Sequence, residues 1–401
     1  MSKEIFDNLK LVVKNNPEKF FMNVLEYDGV LTAVFDYSLT IPSNFISKYA
    51  LEARGSLFHI DENHDYVATL ALPFEKFFNP HEYDFADNEP LYSAISDKYN
   101  SEVKSSTDLL NLEIDSVYTK EDGSIITAYW LNNKLHCKSN SSLISEYARK
   151  AEELLDSTPT IKDQVGKLAI NNWNTIFEFT SNNPKYRIVL PYDTEKLIVL
   201  AVRNNQTGEY MAHDKVIEYF GNSLVVQQHD KTIEQLLIEV DNATGIEGYI
   251  VKTKSGLRYK LKTKWYVELH KVKSHLFASP RNIWEAFLNE QLDDCYDTFS
   301  DDEHSKELLD KYVTKCNNFY TNIVHNGLEI YNSHKHLDNI AFFDYIKKSR
   351  SSDTVDGLSK HLATRMFISN GNKAESLAAL KNRLLMQKVI STLGIAGWVV
   401  C

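Results

Sequence analysis

The hydrophobic period changes once along this chain, and that change limits what it can fold into. Up to about residue 270, short runs of β-branched and aromatic residues recur: "GVLTAVFDYSL", "SIITAYW", "TIFEFT", "KYRIVLPY", "EKLIVLAV" and "EGYIVKTKSGLRYKLKTKWYV". Asn, Gly, Asp and Pro separate them, so strands joined by turns are predicted. A few helices intervene; "SSLISEYARKAEELLDS" sets Leu143, Tyr147 and Leu154 at helical spacing. From about residue 275 the period becomes three to four. Ser279-Pro280 predicts an N-cap and first-turn proline for "RNIWEAFLNEQL". Leu309, Tyr312, Cys316, Phe319 and Ile323 mark a helix across 305–331, "AESLAALKNRLLMQKVI" marks another, and "KKSRSSDT" reads as an exposed loop. The expected fold class is α+β: a mixed body over residues 1–275, then an all-α domain over 276–401.

Composition narrows the function classes. With 43% hydrophobic residues, the 401-residue chain can bury a sizeable core. Its net charge of -11 (44 Lys and Arg against 55 Asp and Glu) argues against a non-specific polyanion binder but leaves room for an enzyme with one local basic groove. Cys137, Cys295, Cys316 and Cys401 form no close pair. With no signal peptide at "MSKEIFDNLK", a cytoplasmic setting is expected. The run "LGIAGWVVC" is too short to span a bilayer, and a monomer is the default expectation.

Several charged residues sit where strands should be buried. In "SVYTKEDGSIITAYW" the tetrad Lys120-Glu121-Asp122-Gly123 is either an exposed turn or a lysine nucleophile held in a pocket. In "VKTKSGLRYKLKTKW", Ser255-Gly256 predicts a hairpin turn, after which Arg258, Lys260, Lys262 and Lys264 alternate on one strand face. Tyr259, Leu261 and Trp265 take the other. Four like charges repel unless an anion such as a triphosphate lies opposite; a solvated outer face is the other reading. Glu178 in "TIFEFT" and Glu247 in "GIEGYI" either face a partner, metal or cavity, or lie at a wet strand edge. Arg54 in "EARGSLF" and Lys76 in "PFEKFFN" are phosphate contacts or surface ion pairs.

Order and spacing decide among these readings. Lys-x-Asp-Gly, a strand Glu, Glu-Gly and Lys-x-Lys follow one another at Lys120, Glu178, Glu247 and Lys260. This order resembles the covalent nucleotidyltransferases: DNA ligases, RNA ligases and mRNA capping enzymes. Within that superfamily the chain is similar to the RNA ligase 1 family of T-even-type bacteriophages. The likeness runs through "EIFDNL", "FDYS", "LEARGSLF", "EKFFN", "YTKEDGS", "FEF", "RIVLPY", "TGEY", "IEGY" and "KLKTKWYVELH", and is fainter beyond about residue 275. Ile125 stands where DNA ligases usually carry Arg, which counts against a DNA ligase.

The resemblance implies a nucleotidyltransferase domain of antiparallel sheets with flanking helices, ATP and Mg²⁺ as cofactors, and sealing of 5′-phosphate and 3′-hydroxyl ends of single-stranded RNA, such as a nicked tRNA anticodon loop. It implies Lys120 as the nucleophile that takes AMP. Free lysine, with a pKa near ~10.4, needs the like charges of Lys260, Lys262 and Arg54 plus a metal ion to shed its proton. Tyr37 would sit near the adenosine, Arg54 and Lys76 on the β- and γ-phosphates, and Lys260 and Lys262 on the α-phosphate. Glu178 would contact the ribose or the metal, Glu247 would support the site, and Asp293 with Asp294 would orient metal-bound water. One departure stands at "CKSNSSL": where the family pattern reads Lys-Ser-Lys-Gly, Lys138 and Ser139 are followed by Asn140 and Ser141. The helical domain would recognise RNA, with Tyr345, Lys347, Lys348 and Arg350 as candidates. His304, His325, His334 and His336 match no standard zinc spacing. Alternatives are a nick-sealing RNA ligase, a GTP-using capping enzyme, and a non-catalytic RNA-binding protein of the same fold. The last would have lost some of Lys120, Glu178, Glu247, Lys260 and Lys262, and all five are present.

Overall fold

A computed structural model describes residues 2–385 except 39–40, 86, 184–185, 187, 191, 290–291, 293–294, 297–298, 300–302 and 348–354. The chain divides into two compact units, Met1–Val267 and Glu268–Cys401.

Among the described residues, the first unit holds three four-stranded antiparallel sheets. The first runs β1 (Phe20–Tyr27), β2 (Val30–Tyr37), β3 (Ser56–Ile60) and β4 (Tyr66–Ala71). The second contains β6 (Ser124–Leu131), β7 (Lys134–Lys138), β8 (Trp173–Thr180) and β9 (Lys196–Asn204), in the order β7-β6-β8-β9. The third contains β5 (Ile114–Lys120), β10 (Gln228–His229), β11 (Gly248–Thr253) and β12 (Arg258–Lys262), in the order β10-β5-β11-β12. Helix Ser2–Asn15 covers the first sheet with Phe6 and Leu9, where Phe35, Phe58 and Phe78 join Val251, Tyr259 and Leu261 of the third sheet in one core. Helices Glu146–Ser157, Pro159–Ile170 and His213–Phe220 pack on the second sheet around Ile126, Phe177, Phe179 and Val202. Buried Asn174 ties the first sheet to the second: its Oδ1 accepts from the Leu72 amide at 3.0 Å, and its Nδ2 donates to the carbonyls of Leu70 and Ala128.

Of the predicted strands, "KYRIVLPY" has none of its described residues in a strand: Tyr186 lies in a turn and Val189 and Leu190 in a bend. The reason lies in Asp122. The Val189 and Leu190 amides donate to its Oδ2 at 2.7 and 2.6 Å, so they are spent on a side chain rather than on a neighbouring strand. Tyr266 Oη donates to Oδ1 of the same carboxylate at 2.7 Å. The helix predicted in "SSLISEYARKAEELLDS" starts at Glu146 after the Ser145 N-cap and buries Ala148, Ala151 and Leu155; Leu143 precedes it.

The second unit is helical where it is described. Helix Pro280–Leu288 opens at the expected Ser279-Pro280 and buries Ile283 and Trp284. Helix Glu303–His334 buries Leu309, Tyr312, Cys316 and Ile323 of the predicted face, and Phe319 is half-buried. It meets helix Val355–Ile368 at Gly327, where a Cβ would come within 2.8 Å of the Ser359 carbonyl. Helix Lys373–Leu384 follows, and the loop expected at "KKSRSSDT" lies outside the described residues after Lys347. Among the described residues no helix is long and apolar enough to cross a membrane, and no group of three metal-ligating side chains assembles.

Replacing Asp122 by Ala leaves the Val189 and Leu190 amides without a partner in a buried place. The expected loss is about 3 kcal/mol or more, read from urea unfolding. A midpoint equal to the wild type would show that the loop does not depend on this carboxylate.

Candidate active site

Strand register builds the site. Across the third sheet, Lys120 lies opposite Gly248 and Gly248 opposite Lys262; the next row is Tyr118, Ile250 and Lys260, and the next Ser116, Lys252 and Arg258. Alternate residues share a face. Tyr118, Lys120, Ile250, Lys252, Arg258, Lys260 and Lys262 therefore line one cavity of about 390 Å³, while Val117, Val251, Tyr259 and Leu261 enter the core behind them. Ile125, Glu178, Leu200 and Ala201 of the second sheet line it too, as do Arg54, Phe74 and Phe77.

Lys264, expected on the same strand face, is not there. The strand ends at Lys262, and Lys264 opens helix Lys264–Leu276, exposed and 3.1 Å from Asp241. The strand ends because Thr263 turns the chain into that helix: its Oγ1 accepts from the Tyr266 amide at 3.1 Å.

Glu247, expected within a strand, immediately precedes β11. Its buried carboxylate places Oε2 2.7 Å from Lys120 Nζ and Oε1 2.8 Å from Lys262 Nζ. One carboxylate thus holds two ammonium groups, so the mutual repulsion expected of the lysines is partly offset. The row has room for this because Gly248 stands between the two lysines. Its φ is +143°, and a Cβ there would fall 2.0 Å from the Leu261 carbonyl.

The remaining charges are poised by burial. Burial pushes the Glu178 pKa up to about 8, with nearby Lys120 opposing. Glu121 also lines the cavity and accepts from Tyr192 Oη at 3.0 Å; burial raises its pKa. Burial, then Lys76 and Arg54, hold Lys260 well below the usual lysine range. Burial followed by Arg54 lowers Lys76 to about 8. Gly123 completes the tetrad for a steric reason: a Cβ would fall 2.2 Å from the Phe179 carbonyl and 3.1 Å from Glu178 Cγ.

Of the residues expected at the site, Lys120, Arg54, Glu178, Lys260 and Lys262 line the cavity, and Glu247 sits directly behind two of them. Tyr37 and Lys76 do not line it. They lie beside Arg54, with the Lys76 ammonium 5.1 Å from the centroids of both the Tyr37 and Phe78 rings. Asp293 and Asp294 lie outside the described residues.

Sequence reasoning missed the charged network behind the cavity. Arg203 grips both oxygens of Glu52, at 2.8 and 3.0 Å, and lies 3.6 Å from Glu75. Arg258 lies 3.6 Å from Glu75 and 4.0 Å from the centroid of the Tyr210 ring, while Tyr99 and Tyr210 donate to Glu75. Arg203, Lys98 and Arg258 hold the Glu75 carboxyl far below the usual range despite its burial. The available signal was a charge inside an apolar run, Glu75 in "LPFEKFF" and Arg203 in "IVLAVRN".

A carboxyl whose folded pKa is raised keeps its proton in the folded state and not in the unfolded one. Stability from Glu178 is therefore full below the ordinary carboxylate pKa and lost as pH rises toward about 8. Without nucleotide or divalent cation, Glu178→Gln is expected to gain on the wild type between pH 5 and 8, by up to about 1.4 kcal/mol per pH unit. Parallel urea curves at each pH read this; a difference constant with pH would rule it out.

The model of a family described as RNA ligase matches residues 52–266, more than half of the chain. A protein of Thermovibrio ammonificans named "Putative RNA ligase" is 25% identical over 287 residues, which span 70% of this chain and 68% of that one. Among solved structures, a Naegleria gruberi RNA ligase mutant with ATP and Mn is similar at 15% identity and a TM-score of 0.32, over 39% of this chain and 51% of that one. Another mutant of the same ligase, with AMP and Mn, is similar at 16% identity and a TM-score of 0.33, over 41% of this chain and 54% of that one. The chain thus spans about half the length of these Naegleria chains. By the match over residues 52–266, the chain belongs to the RNA ligase family.

Proposed function

We propose that this protein is an ATP-dependent RNA ligase that works through a lysine–AMP intermediate on Lys120. The observation that carries the proposal is the meeting of Lys120, Lys260, Lys262 and Glu178 on one cavity, with Glu247 bridging two of the lysines. The cavity has an apolar lining, including Ile250, Leu200 and Phe77, that suits a nucleobase, and a cationic end that suits phosphates.

In the first step the Lys120 amine, having lost its proton, attacks the α-phosphorus of ATP. The Nζ–P bond forms, the bond from Pα to the bridging oxygen breaks, and pyrophosphate leaves with that electron pair. Lys260 and Lys262 receive the α-phosphate charge; Arg54, backed by Lys76, holds the β- and γ-phosphates; Tyr37 stands by the nucleoside. In the second step the 5′-phosphate of an RNA end displaces Lys120 from AMP. In the third, a 3′-hydroxyl attacks that 5′-phosphate, the phosphodiester forms and AMP departs. All three are displacements at phosphorus, so positioning and charge stabilisation suffice.

The residues fit a divalent cation. Glu178 is a buried carboxyl that lines the cavity, and Mg²⁺ needs only one or two carboxylates beside phosphates and water. When bound, the ion supplies charge neutralisation. Asp293 and Asp294 belong to the same reading. The domain over 1–275 carries adenylyl transfer, and the helical part over 276–401 selects the RNA, with single-stranded ends of a broken tRNA anticodon loop as the substrate. There Tyr345, stacked on His334 at 3.9 Å, and Lys347 are candidate contacts. A cytoplasmic monomer completes the proposal.

Incubation with ATP labelled at the α-phosphate and Mg²⁺ is expected to leave acid-labile label on the denatured wild type and none on Lys120→Ala. Lys262→Ala should lower the labelling rate by about a hundredfold. Label from GTP in place of ATP would move the protein to capping chemistry. A wild type that takes no label after bound AMP has been stripped with pyrophosphate would end the ligase reading.

A further inference from the structure

The chemistry above leaves Lys138 without a task, yet this lysine has no exposed surface at all. It ends β7 and does not line the cavity. Its ammonium donates to the carbonyls of Ser139 and Asn140 at 2.8 and 2.6 Å. Burial pushes its pKa down to about 7, with Asp36 opposing. An amine buried in this way costs stability that an apolar side chain of similar length would not.

What its two hydrogen bonds hold is informative. The Asn140 carbonyl is pressed against Gly55: a Cβ on Gly55 would lie 2.0 Å from that oxygen and 2.9 Å from Lys138 Nζ. Gly55, at φ +83°, follows Arg54 directly, and its amide donates to the Phe35 carbonyl at 2.8 Å. The Asn140 side chain reaches the other neighbour: Nδ2 donates to Asp36 Oδ2 at 3.2 Å, and Asp36 Oδ1 accepts from the Tyr37 amide at 2.9 Å. The segment 138–140, where the chain leaves β7 of the second sheet, therefore touches the residue after Arg54 and the residue before Tyr37, at the end of β2 in the first sheet. Asn140, which departs from the family's pattern, points to Asp36.

We propose that Lys138 is a positioning residue: by holding the Ser139 and Asn140 carbonyls it fixes the backbone that carries Arg54 and Tyr37, and so sets the grip on the two outer phosphates of ATP. The proposal rests on the ligase reading, in which Arg54 holds the β- and γ-phosphates. It makes a distinction between steps. Adenylylation of Lys120 needs those phosphates. Sealing of an RNA that already carries a 5′–5′ AMP does not, because only AMP leaves in that step.

The test uses the full chain with two variants, Lys138→Met and Asn140→Ala. It measures KM and rate for labelling by ATP, and separately the rate of sealing a chemically pre-adenylated RNA oligonucleotide. Lys138→Met should raise the KM for ATP about tenfold to a hundredfold, with sealing within about twofold of wild type. Asn140→Ala, which keeps the backbone carbonyl, should shift the same way by less. Unchanged labelling in Lys138→Met overturns the proposal. If Lys138→Met loses both steps alike, Asn140→Ala decides: a KM shift confined to labelling upholds the brace, and no shift, or an equal loss in both steps, overturns it. A wild type that seals pre-adenylated RNA but cannot be labelled by ATP removes the reading of Arg54, and the brace with it.

Discussion

The site depends on one carboxylate placed between two ammonium groups. Glu247 reaches Lys120 at 2.7 Å and Lys262 at 2.8 Å, across a row of the sheet whose middle position is glycine. Without that carboxylate, two lysines on neighbouring strands would repel each other in a partly desolvated place. Without Gly248, a side chain would strike the Leu261 carbonyl. The Glu-Gly pair is thus one device with two parts, the first electrostatic and the second steric.

The tetrad around Lys120 works in a comparable way. Lys120 itself ends a strand and enters the cavity, but Asp122 faces the other way and gathers Val189, Leu190 and Tyr266 on its carboxylate. Gly123 lets the chain pass against the Phe179 carbonyl, so that the Glu178 side chain beside it can share the cavity with Lys120. The motif therefore holds one chemical group and two structural ones. A second layer of charge, Glu52, Arg203 and Glu75, lies behind the cavity wall and is paired within itself and with Arg258 of that wall. Desolvation of such buried charges offsets much of their mutual attraction, while removing one partner would leave an unpaired buried charge.

Much of this was legible from residue order. The change of hydrophobic period near residue 270 foretold a mixed body and a helical part, because side-chain period is a local property of backbone geometry. The division at Val267 to Glu268 falls inside helix Lys264–Leu276, close to the change of period but not on it. Arg258, Lys260 and Lys262 were placed on one face by the period of two, and they line the cavity. The same rule failed at Lys264, since periodicity says nothing of where Thr263 ends the strand. It failed again at "KYRIVLPY", whose apolar residues look like a strand but whose amides at 189 and 190 are taken by Asp122, a residue 67 and 68 positions away.

The sequence by itself determined the chemical inventory: a lysine in Lys-x-Asp-Gly, a strand glutamate, Glu-Gly and Lys-x-Lys, in an order that identifies the family. It also determined the local periods that set which residues share a face. Only the tertiary structure decided which charges meet. Glu247 lies 127 positions from Lys120 and Arg203 lies 151 from Glu52, and register and sheet packing bring each pair within hydrogen-bond range. It likewise decided that Tyr37 and Lys76 stand beside the cavity rather than in it, and that Lys138 is sealed against Gly55. Ion pairing, desolvation and steric contact act over a few ångströms in space, and separation along the chain carries almost no information about them.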